Sequence, residues 1–462
     1  MPLLIRNGRI ITASDDYVAD IFCAGETITR IDRGIDPKSC PPGTEVVDAS
    51  GKYVFPGFID PHVHIYLPFM GTYAIDDYES ASKAALAGGT TTLIEMICPG
   101  PKDSPWEAYQ TWMSKAKGIA SVDFTFHMSV VRYEPEVREQ FARIVKDGVG
   151  SYKVFLAYKG ALNLTDGELF ALMQDAKKQG VIVTAHCENA DAVAAMQEIL
   201  IANGRTGPEW HGPSRPPVVE ADGVHHLCTF AELTGAHVYT VHTSCDIAVK
   251  EALSARLRGV NVWIESVIPH FVLDETYAER PDFEGARYVM SPPLRQKGNQ
   301  DILWNGVKSR TISTIATDHA PFTLEQKQMG REAFTRIPNG IPSIQERVDL
   351  VHSYGVARGR LALQTMVNAC STQAAILFGM YPRKGTIQVG SDADLVVFDP
   401  DWKGTFQKKD SYSNVDYNAY EGWAKQGRAS VVTVRGQVQA RDGKFVGKKG
   451  TGQFVAREPT HG

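Results

Sequence analysis

Eight short apolar runs with strand character recur between residues 58 and 317, and helical stretches separate several of them. The runs begin near Phe58, Thr90, Val122, Ser151, Val181, Val238, Val260 and Ile312. Strands that alternate with helices form a parallel sheet, and eight such repeats close into a barrel. The sequence therefore predicts an α/β fold built on a (β/α)8 TIM-like barrel.

The helical stretches between these runs are expected at residues 76–87, 134–146, 166–179 and 246–258. Two intervals between strands are long, at about 55 residues each, and both contain segments rich in proline and glycine. In a barrel of this type, extra loops at the C-terminal face build the site. We therefore expect both intervals to contribute loops over that face.

Both ends of the chain carry short runs rich in β-branched residues, without helical periodicity. Such runs occupy residues 3–5, 9–12 and 27–31, with a break expected at Gly8, and residues 394–399 and 430–436. The ends of one domain commonly lie close together. We predict a small β-sandwich domain from residues 1–55 and 380–462, and a catalytic barrel from residues 56–379.

Composition excludes several classes of protein. The chain has 462 residues, of which 43% are apolar and 22% charged, and this suits a barrel plus a smaller domain. The net charge is −5 and the sequence has no basic block large enough to bind nucleic acid. No apolar run is long enough for a membrane helix. The seven cysteines form no CxxC pair, so we do not expect a disulfide framework. We expect a cytoplasmic location, where cysteines stay reduced.

Six side chains that could bind a metal fall at or near the ends of these apolar runs. They are His62, His64, Lys153, His186, His242 and Asp318. In a parallel barrel, the C-terminal strand ends converge on the face where chemistry takes place. The spacing therefore predicts a metal-dependent enzyme whose ligands come from across the chain.

Each of these residues also has a simpler interpretation. His62 and His64 are two residues apart and point to the same side of a strand, but they could be histidines of an exposed loop. His186 and His242 could each be buried or loop histidines with ordinary partners. Asp318 could cap a helix or stabilise a turn.

Lys153 lies in an apolar run, where burial disfavours the charged amine and lowers its pKa. A neutral amine can react with carbon dioxide, and the resulting carbamate can bridge two cations as a carboxylate does. The alternative is a lysine that extends to solvent or pairs with a carboxylate.

Taken in order, the motifs of this chain resemble those of the dihydropyrimidinase/hydantoinase family of the amidohydrolase superfamily. The matching segments are residues 58–64, 88–92, 151–159, 185–189, 214–217, 241–244, 291–295, 317–322, 337–340, 381–386 and 390–395. The resemblance extends almost from end to end. It implies a hydrolase that acts on non-peptide C–N bonds in cyclic amides.

The resemblance also implies two divalent cations, usually zinc, although manganese or cobalt would suit the same ligands. His62, His64 and Asp318 would hold the first cation, and His186 and His242 the second. A hydroxide and Lys153, carbamylated by CO2, would bridge them.

For the substrate, the resemblance implies that the Tyr158 hydroxyl stabilises the oxyanion. Ser291 and Asn339 would bind the cyclic amide edge, largely through backbone groups, and Asp318 would act as base and then acid. Without the motif, Tyr158 would be a tyrosine packed on a loop, and Ser291 and Asn339 would be turn residues. A homotetramer, or a homodimer, is also implied.

The implied substrates are 5,6-dihydropyrimidines or 5-substituted hydantoins, opened to N-carbamoyl amino acids. An allantoinase- or dihydroorotase-like enzyme is the first alternative, but those enzymes commonly place an arginine after the HxH pair, where residues 65–70 are mostly apolar. A non-catalytic dihydropyrimidinase-related scaffold is the second, although this chain keeps all six ligands. Residues 263–271 and Leu162 depart from the usual pattern, which leaves the ring substituent open.

Overall fold

The computed structural model describes residues 2–459, and an eight-stranded parallel barrel forms its centre. Its strands are Phe58–Val63, Thr90–Ile97, Asp123–Ser129, Ser151–Phe155, Ile182–His186, Val238–Thr240, Val262–Val267 and Thr314–Ala316. The barrel closes where Val63 bridges His319 and the His64 amide donates to the His319 carbonyl at 2.8 Å. The predicted fold class is confirmed, with a strand at each of the eight predicted positions.

Helices surround the barrel, and the four expected from the sequence form within two residues of their predicted bounds. The α-helices are Tyr78–Ala87, Pro105–Ala116, Pro135–Lys146, Asp166–Gln179, Ala190–Ala202, Pro217–Thr234, Asp246–Leu257, Ile268–Val272, Gly298–Lys308, Leu324–Lys327, Arg347–Leu350, Leu363–Val367 and Gln373–Leu377. Local signals set their ends: Thr165 caps the fourth helix, and Gly180 ends it in the left-handed region at φ 68°. Within residues 2–459, no helix is long and apolar enough to span a membrane.

Short 3-10 and π-helical segments complete the helical structure. The 3-10 turns are Pro37–Ser39, Pro208–Trp210, Glu275–Tyr277, Glu284–Tyr288, Gln328–Gly330, Phe334–Arg336 and Lys408–Asp410, and the π-helical turns are Val351–Val356 and Asn368–Thr372. Several of them lie in the two long intervals, between His186 and Val238 and between Val267 and Thr314.

Both chain ends contribute to one mostly antiparallel sheet of nine strands, as the β-rich termini predict. The strands are Leu3–Ile11, Asp16–Ala24, Thr27–Asp32, Glu45–Asp48, Tyr53–Pro56, Leu395–Thr405, Ala424–Val434, Gln437–Arg441 and Lys444–Phe445. Hydrogen bonds between Tyr53–Pro56 and Leu395–Thr405 join the two ends into a continuous sheet. The break expected at Gly8 is wrong, because Gly8 lies at a bulge within a single strand.

A buried ion cluster ties this sheet to the barrel. The Lys384 ammonium donates to Asp394 at 2.7 Å and contacts Asp392 at 3.0 Å and Asp123 of the barrel strand. Arg435 also pairs with Asp123. Three clustered carboxylates would suit a metal ion, but here three side-chain cations pair with them, because Arg383 also contacts Asp392 at 3.0 Å.

Candidate metal-dependent active site

The structure brings all nine predicted site residues to one cavity at the C-terminal end of the barrel. The polar lining consists of His62, His64, Lys153, Tyr158, His186, His242, Ser291, Asp318 and Asn339. The other walls carry mostly apolar side chains, namely Leu67, Phe69, Cys98, Phe155, Leu162 and Ala320. The cavity therefore combines a polar floor with apolar walls.

His62, His64 and Asp318 form a compact group on the floor. The Nε2 atoms of His62 and His64 lie 3.1 and 3.0 Å from Asp318 Oδ1. Burial favours the protonated acid, yet the two histidines hold the pKa of Asp318 well below its ordinary value. Asp318 is therefore an ionised carboxylate at neutral pH.

The backbone at Asp318 lies in the left-handed region at φ 51°, a conformation that costs about 1–3 kcal/mol. Asp60 holds it there, since its carboxylate accepts from the Thr317 hydroxyl at 2.7 Å and from the Thr317 amide at 3.2 Å. The same carboxylate accepts from the His62 amide at 3.3 Å. One buried acid thus fixes two strand ends relative to each other.

His186 and His242 form a second group beside the first. Their ring centroids are 4.5 Å apart, and the His242 ring is 5.3 Å from that of His62. Burial lowers the pKa of His186 and that of His242, and it lowers the pKa of His64 to about 4. These imidazoles are neutral at pH 7, which is the form that binds metals.

Lys153 lies on the strand Ser151–Phe155 and is 1% exposed. Among residues 2–459 it forms no ion pair, although Asp318 and Glu265 act on it at longer range. Burial lowers the pKa of its amine to about 8, against the opposing effect of those two carboxylates. The lysine therefore lines the same cavity as both histidine groups, with an amine that deprotonates easily.

Glu265 is a buried residue beside this site that the pattern of strand ends does not predict. Its Oε1 accepts from His62 Nδ1 at 2.7 Å and from the His242 amide at 2.9 Å, and its Oε2 accepts from the Tyr239 hydroxyl at 2.8 Å. The bond to Nδ1 leaves His62 Nε2 directed at Asp318. The signal in the sequence was a glutamate within an otherwise mostly apolar run, which forms the strand Val262–Val267.

Replacing Glu265 by glutamine is expected to lower metal affinity by about 10- to 100-fold, because a carboxylate behind a ligating histidine orients it and raises its basicity. Metal titration of the stripped protein would measure this loss. Glu139→Gln, which changes an exposed glutamate, is the matched control. An unchanged affinity in folded Glu265→Gln would contradict the assignment.

His186 is held in a similar way by Glu188. His186 Nε2 donates to Glu188 Oε2 at 2.6 Å, and the Arg215 guanidinium pairs with the same oxygen. Burial raises the pKa of Glu188, but Arg215 and His186 together lower it to about 2. The His186 Nδ1 atom is therefore the one left for a ligand.

Tyr158 stands beside this pair, with its ring 5.2 Å from His186 and 5.5 Å from the Arg215 guanidinium. Burial raises the pKa of its hydroxyl to about 12, so it is a proton donor at neutral pH. Its backbone also lies in the left-handed region, at φ 63°. In the same cavity, Asn339 Nδ2 donates to Ser291 Oγ at 2.9 Å, which couples the two loops that carry these residues.

The donors present fit divalent cations. His64 Nδ1 and His242 Nδ1 are buried and have no hydrogen-bond partner among residues 2–459, and atoms of His62, His64 and Asp318 lie within 4.8 Å of one another. Imidazole nitrogens and a carboxylate suit zinc, cobalt or manganese. The cavity therefore has the donor set of a metal centre, divided into two adjacent groups.

Comparison with known proteins agrees with this geometry. The model of the amidohydrolase family matches residues 53–439 of the chain. This chain belongs to the amidohydrolase family. Its matched region includes the whole barrel and every residue of the cavity.

Within the amidohydrolases, the relatives of this chain include hydantoinases and dihydropyrimidinases. The D-hydantoinase of Geobacillus stearothermophilus is 42% identical over 99% of this chain and 97% of its own length. The dihydropyrimidinase of Dictyostelium discoideum is 35% identical over 99% of this chain and 91% of its own. A solved D-hydantoinase (dihydropyrimidinase) from Thermus sp. is 57% identical, with a TM-score of 0.97 over 99% of this chain and 100% of that one. The resemblance to the dihydropyrimidinase/hydantoinase family is confirmed.

Proposed function

We propose that this amidohydrolase uses two metal ions to open cyclic amides or imides, namely 5,6-dihydropyrimidines or 5-substituted hydantoins, to N-carbamoyl amino acids. The observation that carries the proposal is the buried Lys153, which lines one cavity with the His62/His64/Asp318 group and the His186/His242 group. Those residues would be the ligands. The names of the relatives supply the class of substrate.

Metal ions in such a site polarise a substrate carbonyl and lower the pKa of a bound water molecule. The side chains do the rest. Asp318 accepts a proton from the attacking water and delivers it to the ring nitrogen as the C–N bond breaks and the new C–O bond forms. The Tyr158 hydroxyl donates to the oxygen that becomes negative, and Ser291 and Asn339 hold the amide edge of the ring.

Lys153 would act as a carbamate. Its neutral amine attacks the carbon of CO2, an N–C bond forms and one proton leaves, which gives a carboxylate-like group on a buried side chain. The lowered pKa of about 8 supports this, because the neutral amine is the reactive form.

The apolar walls favour neutral rings over anionic ones. Apart from Lys153, no lysine or arginine of residues 2–459 lines the cavity, whereas a substrate carboxylate would need such a partner. Leu67 and Phe69 occupy the wall contributed by the segment after His64. This favours a dihydropyrimidinase or hydantoinase over a dihydroorotase-like enzyme. Allantoin is itself a neutral ring, so the allantoinase-like alternative is decided by turnover and not by the cavity lining.

A substrate panel tests the choice. With metal-reconstituted protein, we expect kcat/KM for dihydrouracil or hydantoins to exceed that for dihydroorotate by at least about 100-fold, because the carboxylate of dihydroorotate would be buried without a partner. Allantoin belongs in the same panel. Faster turnover of dihydroorotate would reverse the assignment, and no turnover of any ring by metal-loaded protein would favour the scaffold alternative.

We further propose zinc as the resident ion, with manganese or cobalt as substitutes, and elemental analysis of purified protein would identify it. Sedimentation would give a homotetramer four times the chain mass of 50.7 kDa, and a homodimer twice that mass.

The seven cysteines are unpaired, which supports a reducing compartment such as the cytoplasm. We place the domain boundaries at residues 55/56 and 379/380.

A further inference from the structure

Lys327 is a buried lysine that does not line the cavity. It is 1% exposed, and among residues 2–459 it forms no ion pair. Instead, its ammonium donates to three backbone carbonyls: Pro338 at 2.6 Å, Gly340 at 2.9 Å and Val289 at 3.1 Å. Burial lowers the pKa of this amine to about 7, whereas three carbonyl acceptors favour the ammonium, in which each of the three N–H donors has one acceptor.

The three carbonyls belong to the two loops that carry Ser291 and Asn339. Val289 lies two residues before Ser291, and Pro338 and Gly340 flank Asn339 on either side. The Gly340 amide also donates to the Val289 carbonyl at 2.9 Å, which joins the loops directly. Lys327 therefore binds both loops from behind, on the side away from the cavity.

The neighbouring Gln326 holds a third part of the cavity wall. Its Nε2 donates to the Thr72 hydroxyl and to the Tyr73 carbonyl, both at 2.7 Å. These residues pair with the strand Pro68–Phe69, and Phe69 lines the cavity. Gln326 and Lys327 belong to the same short helix, Leu324–Lys327, which begins six residues after Asp318.

We propose that the helix Leu324–Lys327 is the anchor that sets the spacing between the substrate-binding loops, with Lys327 as a positioning residue for Ser291 and Asn339. The proposal rests on the substrate-binding role given to those two residues above. Lys327 acts on the loops for the ring edge, which every substrate shares. Gln326 acts on the wall that carries Phe69, and we infer that an apolar ring substituent packs against this apolar wall.

Replacing Lys327 by methionine keeps most of the side-chain length and removes its three donors. The buried carbonyls of Pro338 and Gly340 then lose their bond to Lys327, and that of Val289 keeps only its bond from the Gly340 amide. We expect KM for hydantoin and dihydrouracil to rise by about tenfold or more, with kcat reduced by less than about threefold and metal content unchanged. Amide hydrogen exchange at Gly340 should accelerate. A folded variant with wild-type KM and wild-type exchange would overturn the proposal.

Lys384→Met is the matched control, because Lys384 is equally buried but lies at the junction with the terminal sheet. It is expected to lower stability and leave KM unchanged; an equal rise in KM would show that the Lys327 effect is general destabilisation. If Lys327→Met does not fold, Lys327→Arg, which keeps several donors, is expected to shift KM the same way by less, and an unchanged KM would count against the proposal.

Gln326→Met tests the other arm of the anchor. It is expected to raise KM for 5-substituted hydantoins while the unsubstituted ring is unaffected, and equal effects on both would contradict the division of roles. If wild-type protein opens no ring, the proposed function fails, but exchange at Gly340 in Lys327→Met still tests the anchor.

Discussion

Replacing Lys153 by alanine is expected to abolish ring opening, with kcat/KM reduced by at least about 10⁴-fold, and to remove most of the bound metal. The variant loses the side chain that we propose to join the two histidine groups, which then remain as two poorly connected sites. Metal content and hydantoin turnover would be measured on the same preparation.

Rescue by small acids makes this test specific. The space left by the lysine side chain can admit acetate or propionate, whose carboxylate replaces the carbamate, so partial recovery of both metal and activity is expected. Lys178→Ala, at a lysine whose side chain is 75% exposed, is the control and should match wild type. Full activity of Lys153→Ala without added acid would rule out the bridge.

The lowered pKa of Lys153 gives a second readout of the same residue. With a pKa of about 8, about one amine in ten is neutral at pH 7, against about one in 3,000 for an ordinary lysine. When metal is added back to metal-free wild-type protein, activity should therefore return faster in buffer with bicarbonate than in CO2-depleted buffer. Equal rates in the two buffers would contradict carbamate formation.

Asp318→Asn is expected to lower kcat by about 10³- to 10⁴-fold even when the protein is saturated with metal. The amide oxygen of asparagine can still serve as a ligand, but it cannot accept the proton of water and pass it to the ring nitrogen. The two histidines that hold the pKa of Asp318 down keep the wild-type group ionised and ready to accept that proton.

Steady-state kinetics across a metal titration would separate the two roles of Asp318. A defect that disappears at high metal concentration would assign the residue to metal binding alone. Asp301→Asn, which changes a carboxylate whose side chain is 73% exposed, is the control and should behave as wild type. A metal-saturated Asp318→Asn variant within tenfold of wild type would contradict its role in proton transfer.

Much of this site follows from local sequence patterns. Apolar runs of strand length mark the eight barrel strands, and the strand ends of a parallel barrel lie on one face whatever the loops do. That rule is enough to bring His62, His186, His242 and Asp318 to one cavity, although they are far apart in the chain.

The local patterns are weaker where structure depends on contacts between distant segments. Gly8 was expected to end a strand, but pairing with neighbouring strands carries the chain through it as a bulge. Glu265 lies 203 residues from its partner His62, so no spacing in the sequence connects them.

The sequence by itself determined the barrel, the β-rich union of the two termini and the residues available to bind metal, because periodicity and strand ends are local properties. Only the tertiary structure decided which ring nitrogen of His62 and His186 faces the cavity, and that Lys327 holds the loops of Ser291 and Asn339. Those features depend on hydrogen bonds between segments that meet only after folding. A linear pattern records which face a residue occupies, but not the partner it meets there.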